Sequence, residues 1–328
     1  MQSEIFKILA QRAAPGTCLS YADYLQTVLY DPLAGYYRKE KTRVGKAPGT
    51  DFFTASSLGP IFADLVVEAV CNRLAPGNPS DYAFVEVGIE PEGGILRGRP
   101  HPFASYTAYT VGTTIDIPPR AVVFSNELLD AQPFHRVRFL GNCWQECGVR
   151  VGDAALEEAI LDEFTPSVAA ISNLLPGEAT EGYTIDLPLG AEHLLHGIAE
   201  TRWSGLWLTF DYGTTWRELA TAFPTGTGRS YRHHQIDGNL LASPGERDIT
   251  CHLCWDQLTA VLRNAGFDPV GLERQEAFFV HYASPVIEDI MKSSTGTTDR
   301  SVSVLRELLH PAQMGAKFQA HWGVRSRI

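Results

Sequence analysis

The chain has 328 residues, 44% of them hydrophobic and 20% charged, which is the balance of a soluble globular protein with room for one large domain or two. Its formal net charge of -11 disfavours non-specific binding to nucleic acid or anionic lipid. No apolar stretch reaches the ~20 residues a membrane helix needs, and the N-terminus has neither a secretory nor a mitochondrial leader pattern, so a cytoplasmic protein is expected.

Taken in order, "IFKILAQR" is a short amphipathic helix that Pro15-Gly16 stops. "SYADYLQTVLY" places Tyr21, Tyr24, Leu25, Val28 and Leu29 at helical spacing, with Ser20 as its N-cap. Pro32 and Gly35 break it, and the polar "KEKTRVGKAPGTDFFTASS" is a loop. A 3.6-residue period returns in "LGPIFADLVVEAVCNRL", so residues 1–80 are expected to form a mainly helical N-terminal region.

From Tyr82 the texture changes to strand–turn–helix. "AFVEVG", "AVVFSNELLD" and "GLWLTFDYG" are short apolar runs that each end in polar residues, as buried parallel strands do. "HRVRFLGNCWQECGVRVG" alternates like an antiparallel hairpin turning near Gly141-Asn142. "PGERDIT" reads as a turn before a helix capped by Asp248 or Thr250, "WDQLTAVLRNAGF" as a helix closed by Gly266, and "EAFFVHYA" as a late strand. The pattern is that of an open α/β sheet, which binds ligands at the carboxyl ends of its strands.

Three such ends carry acids: Glu86 with Gly88, Asn126-Glu127 with Asp130, and Asp211. Singly, each acid reads as a helix cap or first-turn residue. Together, with Gly93-Gly94 following the first, they read as a pocket. No nucleophile elbow, phosphate loop or helical histidine pair is present. Of the six cysteines, "CWQEC" and "CHLC" lie about 100 residues apart among large apolar side chains, which favours reduced, buried thiols over a zinc site.

Several blocks resemble, in order, the MidA-like family of S-adenosylmethionine-dependent methyltransferases. They are "LSYADYLQTVLYDPLAGYY", "GTDFFTASSLGPIF", "VVFSNELLDAQPFHRV", "LTFDYG", "RSYRHHQIDGNLLASPGERDIT" and "HPAQMGAKFQ". Mitochondrial members of that family assist assembly of respiratory complex I and methylate an arginine of a subunit. The resemblance implies a seven-stranded class I methyltransferase (Rossmann-like) sheet over residues 81–328, a substrate-channel insertion at about 214–250, and S-adenosylmethionine as cofactor. It implies a protein substrate, with arginine as the acceptor; the alternative is a member without catalysis that binds a partner protein as an assembly or scaffolding factor. By position, the resemblance makes Asp51, Thr54, Glu86, Gly88, Gly93, Gly94 and Asn126 cofactor-binding candidates. Asn126, Glu127 and Asp130 become the catalytic candidates, and Asp211, Arg232, His234, Asp248 and Thr250 those for substrate binding.

The chain departs from the family at the cofactor loop. Glu-x-Gly-x-Gly-x-Gly is replaced by Glu86-Val87-Gly88-Ile89-Glu90-Pro91-Glu92-Gly93-Gly94, which lacks the middle glycine and is two residues longer. Only "RGRPHPFASYTAYTVGTTIDIPPR" then precedes the next clear strand, with no room for the usual helix and second strand ending in a ribose-binding acid. Glu90, Glu92 or Asp116 is left to supply that acid. Thr50 and Ser57 stand where the family has Gly and Glu.

Overall fold

Six stretches of this chain line up as one sheet: β1 (Ala83–Ile89), β2 (Ser105–Thr110), β3 (Arg120–Asn126), β4 (Ser204–Asp211), β5 (Val270–Arg274) and β6 (Gln319–Arg325). Their order across the sheet is β5-β6-β4-β3-β1-β2. β2, β1, β3 and β4 are mutually parallel, while β6 and β5 run antiparallel to their neighbours. The computed structural model describes residues 3–13, 17–39, 43, 55, 59–91, 93–152, 155–232, 235–294, 296 and 299–326.

The chain divides into two units. One comprises Met1–Phe52, Leu129–Leu194 and Gly213–Leu258; the other comprises Phe53–Leu128, Leu195–Tyr212 and Thr259–Ile328 and contains the six-stranded sheet. In this sheet unit the two-residue period of the strands sends Phe84, Val122, Phe124, Leu206, Leu208 and Phe210 to one face, where they join a continuous buried core. The helix Pro60–Leu74 supplies Phe62, Leu65, Val66, Ala69 and Val70 to the same core, and its first residue is a proline, whose missing N–H costs nothing there.

Three sequence-based expectations change here. Among the described residues the sheet has six strands, where seven were expected. Residues 90–104 join β1 to β2 and residues 111–119 join β2 to β3, with no helix among their described residues, whereas a parallel crossover ordinarily contains a helix. β2 therefore lies next to β1 as a second strand with no crossover helix among the described residues. "EAFFVHYA" is not a strand but the helix Gln275–Tyr282, because Gln275, Phe278 and Phe279 are buried at helical spacing, and Gln275 Nε2 donates to the Leu308 carbonyl.

The other unit is built on an antiparallel sheet. The hairpin His135–Leu140 and Cys143–Val151 is flanked by Thr184–Leu187 on one side and by Cys18–Ser20 and Leu156–Ile160 on the other. Ser20 accepts the Asp23 amide at 3.0 Å and so caps the helix Tyr21–Tyr30. The expected helix after "PGER" is instead the strand Asp248–Thr250, which pairs with Arg229–Arg232. Its Asp248 is occupied by the Tyr37 hydroxyl (2.5 Å) rather than by the first amides of a helix. Inside this unit Arg136 grips Asp186 with two nitrogens, at 2.8 and 3.2 Å, and Asp186 also accepts the Thr227 and Gly228 amides. Each of these charges is thus fully partnered, as burial demands.

Candidate functional site

At the end of β1 the strand alternation places Glu86 on the Phe84 face, and the side chain is only 4% exposed. Its carboxylate accepts the Ile95 amide at 2.9 Å and the Tyr106 hydroxyl at 2.6 Å. Burial raises the Glu86 pKa against the lowering effect of those two hydrogen bonds. Gly88 has φ +84 and marks an irregularity in the β1–β2 pairing; a Cβ there would stand 2.6 Å from the Leu128 side chain. Gly94 has φ +112, and a Cβ there would fall 2.3 Å from the Tyr106 hydroxyl. Gly93 closes a turn on the Glu90 carbonyl at 2.8 Å. Glu86 and Gly94 thus hold the loop in place, while Gly88 turns the backbone at the strand end.

The end of β3 is built differently. Glu127 follows the strand with φ +50, in the left-handed region where a non-glycine residue costs about 1–3 kcal/mol. Its amide donates to the Phe210 carbonyl at 2.8 Å, which ties the strained residue to the neighbouring β4. The Glu127 Oε1 atom accepts from Asn126 Nδ2 at 3.1 Å and from the Ala55 amide at 3.2 Å. Asn126 Oδ1, by contrast, is buried with no hydrogen-bond partner among the described residues, a condition that costs about 1–3 kcal/mol if nothing binds it. Asp211 at the end of β4 is fully buried, and its Oδ1 accepts the Tyr212 amide at 2.8 Å, so it shapes the turn.

Asp130, Arg232, Asp248 and Thr250 belong to the other unit. There Asp130 and Asp248 are buried, and both bear on the Tyr30 phenol, whose pKa is raised first by burial and then by their negative charge. Thr250 is buried and pairs with Arg229, and Arg232 is half-buried at the end of its strand. Asp51, Thr54 and His234, with Thr50, Ser57 and Glu92, lie outside the described residues. Among the described residues no group of three or more His, Cys, Asp or Glu is placed to hold a metal. Cys147 is buried, which pushes its thiol up to about 12, whereas Cys143 is exposed.

Tyr106, whose hydroxyl donates to Glu86, was not among the residues expected at this strand end. The alternation of "SYTAYT" was its signal, since pairing of Tyr106 with Phe84 puts both side chains and Glu86 on one face.

A family model described as "Putative S-adenosyl-L-methionine-dependent methyltransferase" matches residues 101–273, more than half of the chain. The chain belongs to this family. Among its relatives, the Drosophila melanogaster "Protein arginine methyltransferase NDUFAF7 homolog, mitochondrial" is 24% identical over 91% of this chain and 79% of its own. The Danio rerio "Protein arginine methyltransferase NDUFAF7, mitochondrial" is 23% identical over 97% and 86%. A Burkholderia thailandensis protein solved with S-adenosyl-homocysteine bound superposes with a TM-score of 0.85 at 22% identity, over 98% of this chain and 91% of that one. That likeness establishes the shared fold, a class I methyltransferase sheet.

The residues present fit the family's cofactor unevenly. The end of β3 suits the reacting end of the cofactor, because Asn126 presents a buried acceptor that lacks a donor among the described residues. The end of β2, where a ribose is gripped by an acid, carries Thr110, Val111 and Gly112. Asp116 beyond it is exposed, and its backbone carbonyl accepts the Tyr109 hydroxyl at 2.9 Å.

Proposed function

We propose that the protein transfers a methyl group from S-adenosylmethionine to an arginine side chain of a partner protein, with Asn126 and Glu127 at the reacting centre. The observation that carries this reading is the pairing, at one strand end, of a strained glutamate with an asparagine whose buried Oδ1 has no donor among the described residues. Strain and an unpaired buried acceptor persist together where binding offsets their cost. The named activity of the Drosophila melanogaster and Danio rerio relatives supports arginine as the acceptor.

When bound, S-adenosylmethionine supplies an electrophilic methyl group. The Glu127 carboxylate grips the guanidinium through charge-assisted hydrogen bonds and aims one nitrogen, and the Asn126 Nδ2 bond to Oε1 fixes the carboxylate plane. Asn126 Oδ1 receives an N–H from the bound pair. Methyl transfer would form the N–CH3 bond as the sulfonium C–S bond breaks, leaving S-adenosylhomocysteine, and the acceptor nitrogen would shed one proton, for which the Glu127 carboxylate is the adjacent acceptor; positioning and electrostatics would do most of the remaining work. Among the described residues no helix is long and apolar enough to cross a membrane.

Calorimetric titration with S-adenosylmethionine and S-adenosylhomocysteine tests the reading first, followed by mass spectrometry of arginine peptides incubated with the protein and donor. A micromolar dissociation constant and a 14-dalton gain on arginine are expected. Folded protein that gives no heat with either ligand would leave partner binding without catalysis as its role.

A further inference from the structure

We infer that Tyr106 is a positioning residue for the cofactor loop, latching it through Glu86 where the described residues after β1 form no helix. The inference rests on the methyltransferase reading of that loop. Its basis is geometric. The Tyr106 hydroxyl donates to Glu86 Oε2 at 2.6 Å, and the same carboxylate accepts the Ile95 amide at 2.9 Å. The Ile95 amide, which a crossover helix would otherwise orient, is thereby held by a side chain.

The backbone leaves room for this arrangement only at a glycine. A Cβ on Gly94 would stand 2.3 Å from the phenol oxygen and 3.5 Å from Glu86 Oε2. Immediately after the latch, Ile95 and Leu96 are 7% and 2% exposed and sink into the core beside Phe84 and Phe103. The Tyr106 ring packs on Phe84 at 6.2 Å and on His101 at 6.2 Å, so its direction is fixed before the hydroxyl is considered. The latch therefore sets where Gly88 and the turn from Glu90 to Gly93 stand relative to the strand ends.

Tyr106→Phe keeps the ring and removes only the hydroxyl. Loss of this hydrogen bond to a carboxylate should raise the dissociation constant for S-adenosylhomocysteine about tenfold. The KM for S-adenosylmethionine should rise in parallel, with kcat at saturating donor and the KM for an arginine peptide unmoved. A merely structural loss would lower kcat and melting temperature without that split. Hydrogen exchange on unliganded wild type supplies a readout independent of whether the variant folds: the Ile95 amide should exchange at least a hundredfold slower than in an unstructured chain. Wild type that binds while Tyr106→Phe binds equally well, or a wild-type Ile95 amide that exchanges at the unstructured rate, would overturn the positioning role alone. Wild type silent to both ligands would overturn the methyltransferase reading and this role with it, whatever the exchange rates.

Discussion

The ends of β1 and β3 lie in the same sheet, separated by no intervening strand, yet their polar groups have been treated in opposite ways. At β1 the acid is turned inward and its oxygens are met by an amide and a phenol of the chain itself. At β3 the backbone is held in a costly conformation, and an amide oxygen is buried with nothing among the described residues to meet it. Self-satisfaction stabilises a scaffold, whereas a withheld partner prepares a place for a ligand. Under the proposed function, the first strand end is construction and the second is where the chemistry would occur.

Glu127→Gln strikes that contrast hardest. It keeps size and one acceptor oxygen but removes the charge, so methyl transfer to an arginine peptide should fall about a hundredfold or more, with the melting temperature nearly unchanged. Unchanged turnover would remove the β3 end from the mechanism. Gly94→Ala should follow in size. It imposes a side chain at φ +112 against the Tyr106 hydroxyl, and a loss of about 2–3 kcal/mol in denaturant-measured stability is expected, with weakened donor binding. A neutral result would mean the loop is free to move, and the construction role of β1 would fail.

The smallest effect is a pH dependence. Glu86 has its pKa raised in the folded state, so the fold binds its proton more tightly than the unfolded chain does. Stability from this group is therefore greatest at low pH and declines as pH rises from the unfolded value of 4.5 through the raised one. His321 works the other way: burial lowers its pKa from 6.5 to about 3, so stability is lost as pH falls from 6.5 toward 3. Comparing Glu86→Gln with wild type by urea melts cancels the histidine contribution. The difference between the two proteins should change with pH just above 4.5, and parallel curves there would show that Glu86 is not held as described.

Much of the fold was legible in the residues. The apolar runs at β1, β3 and β4 and the hairpin at Gly141-Asn142 follow from pattern and turn chemistry, and Ser20 caps its helix as its side chain predicts. Gln275–Tyr282 was misread because Phe278, Phe279 and Val280 favour strands as isolated residues, although the burial of Gln275, Phe278 and Phe279 is helical. The site was legible as a set of strand ends but not as a set of roles. Glu86 lies within an apolar strand and Glu127 directly after one, and only three-dimensional neighbours, Tyr106 for one and Ala55 for the other, separate the anchor from the proposed reagent. Likewise the separation of Asp130 and Asp248 from Asn126 and Glu127 into different units depends on how the chain returns, which no local window of sequence records.

The burial of Ile95 and Leu96 has a consequence for how this loop breathes. In many binding proteins such a loop opens by itself, at a free-energy cost far below that of global unfolding. Here two of its side chains are wedged among Phe84, Phe103 and the residues behind them, so lifting the loop exposes the sheet's own apolar interior. Local opening and global melting become nearly one event. A ligand seated on this loop should then shift the whole melting curve, by an amount set by its concentration over its dissociation constant, instead of merely quieting one segment.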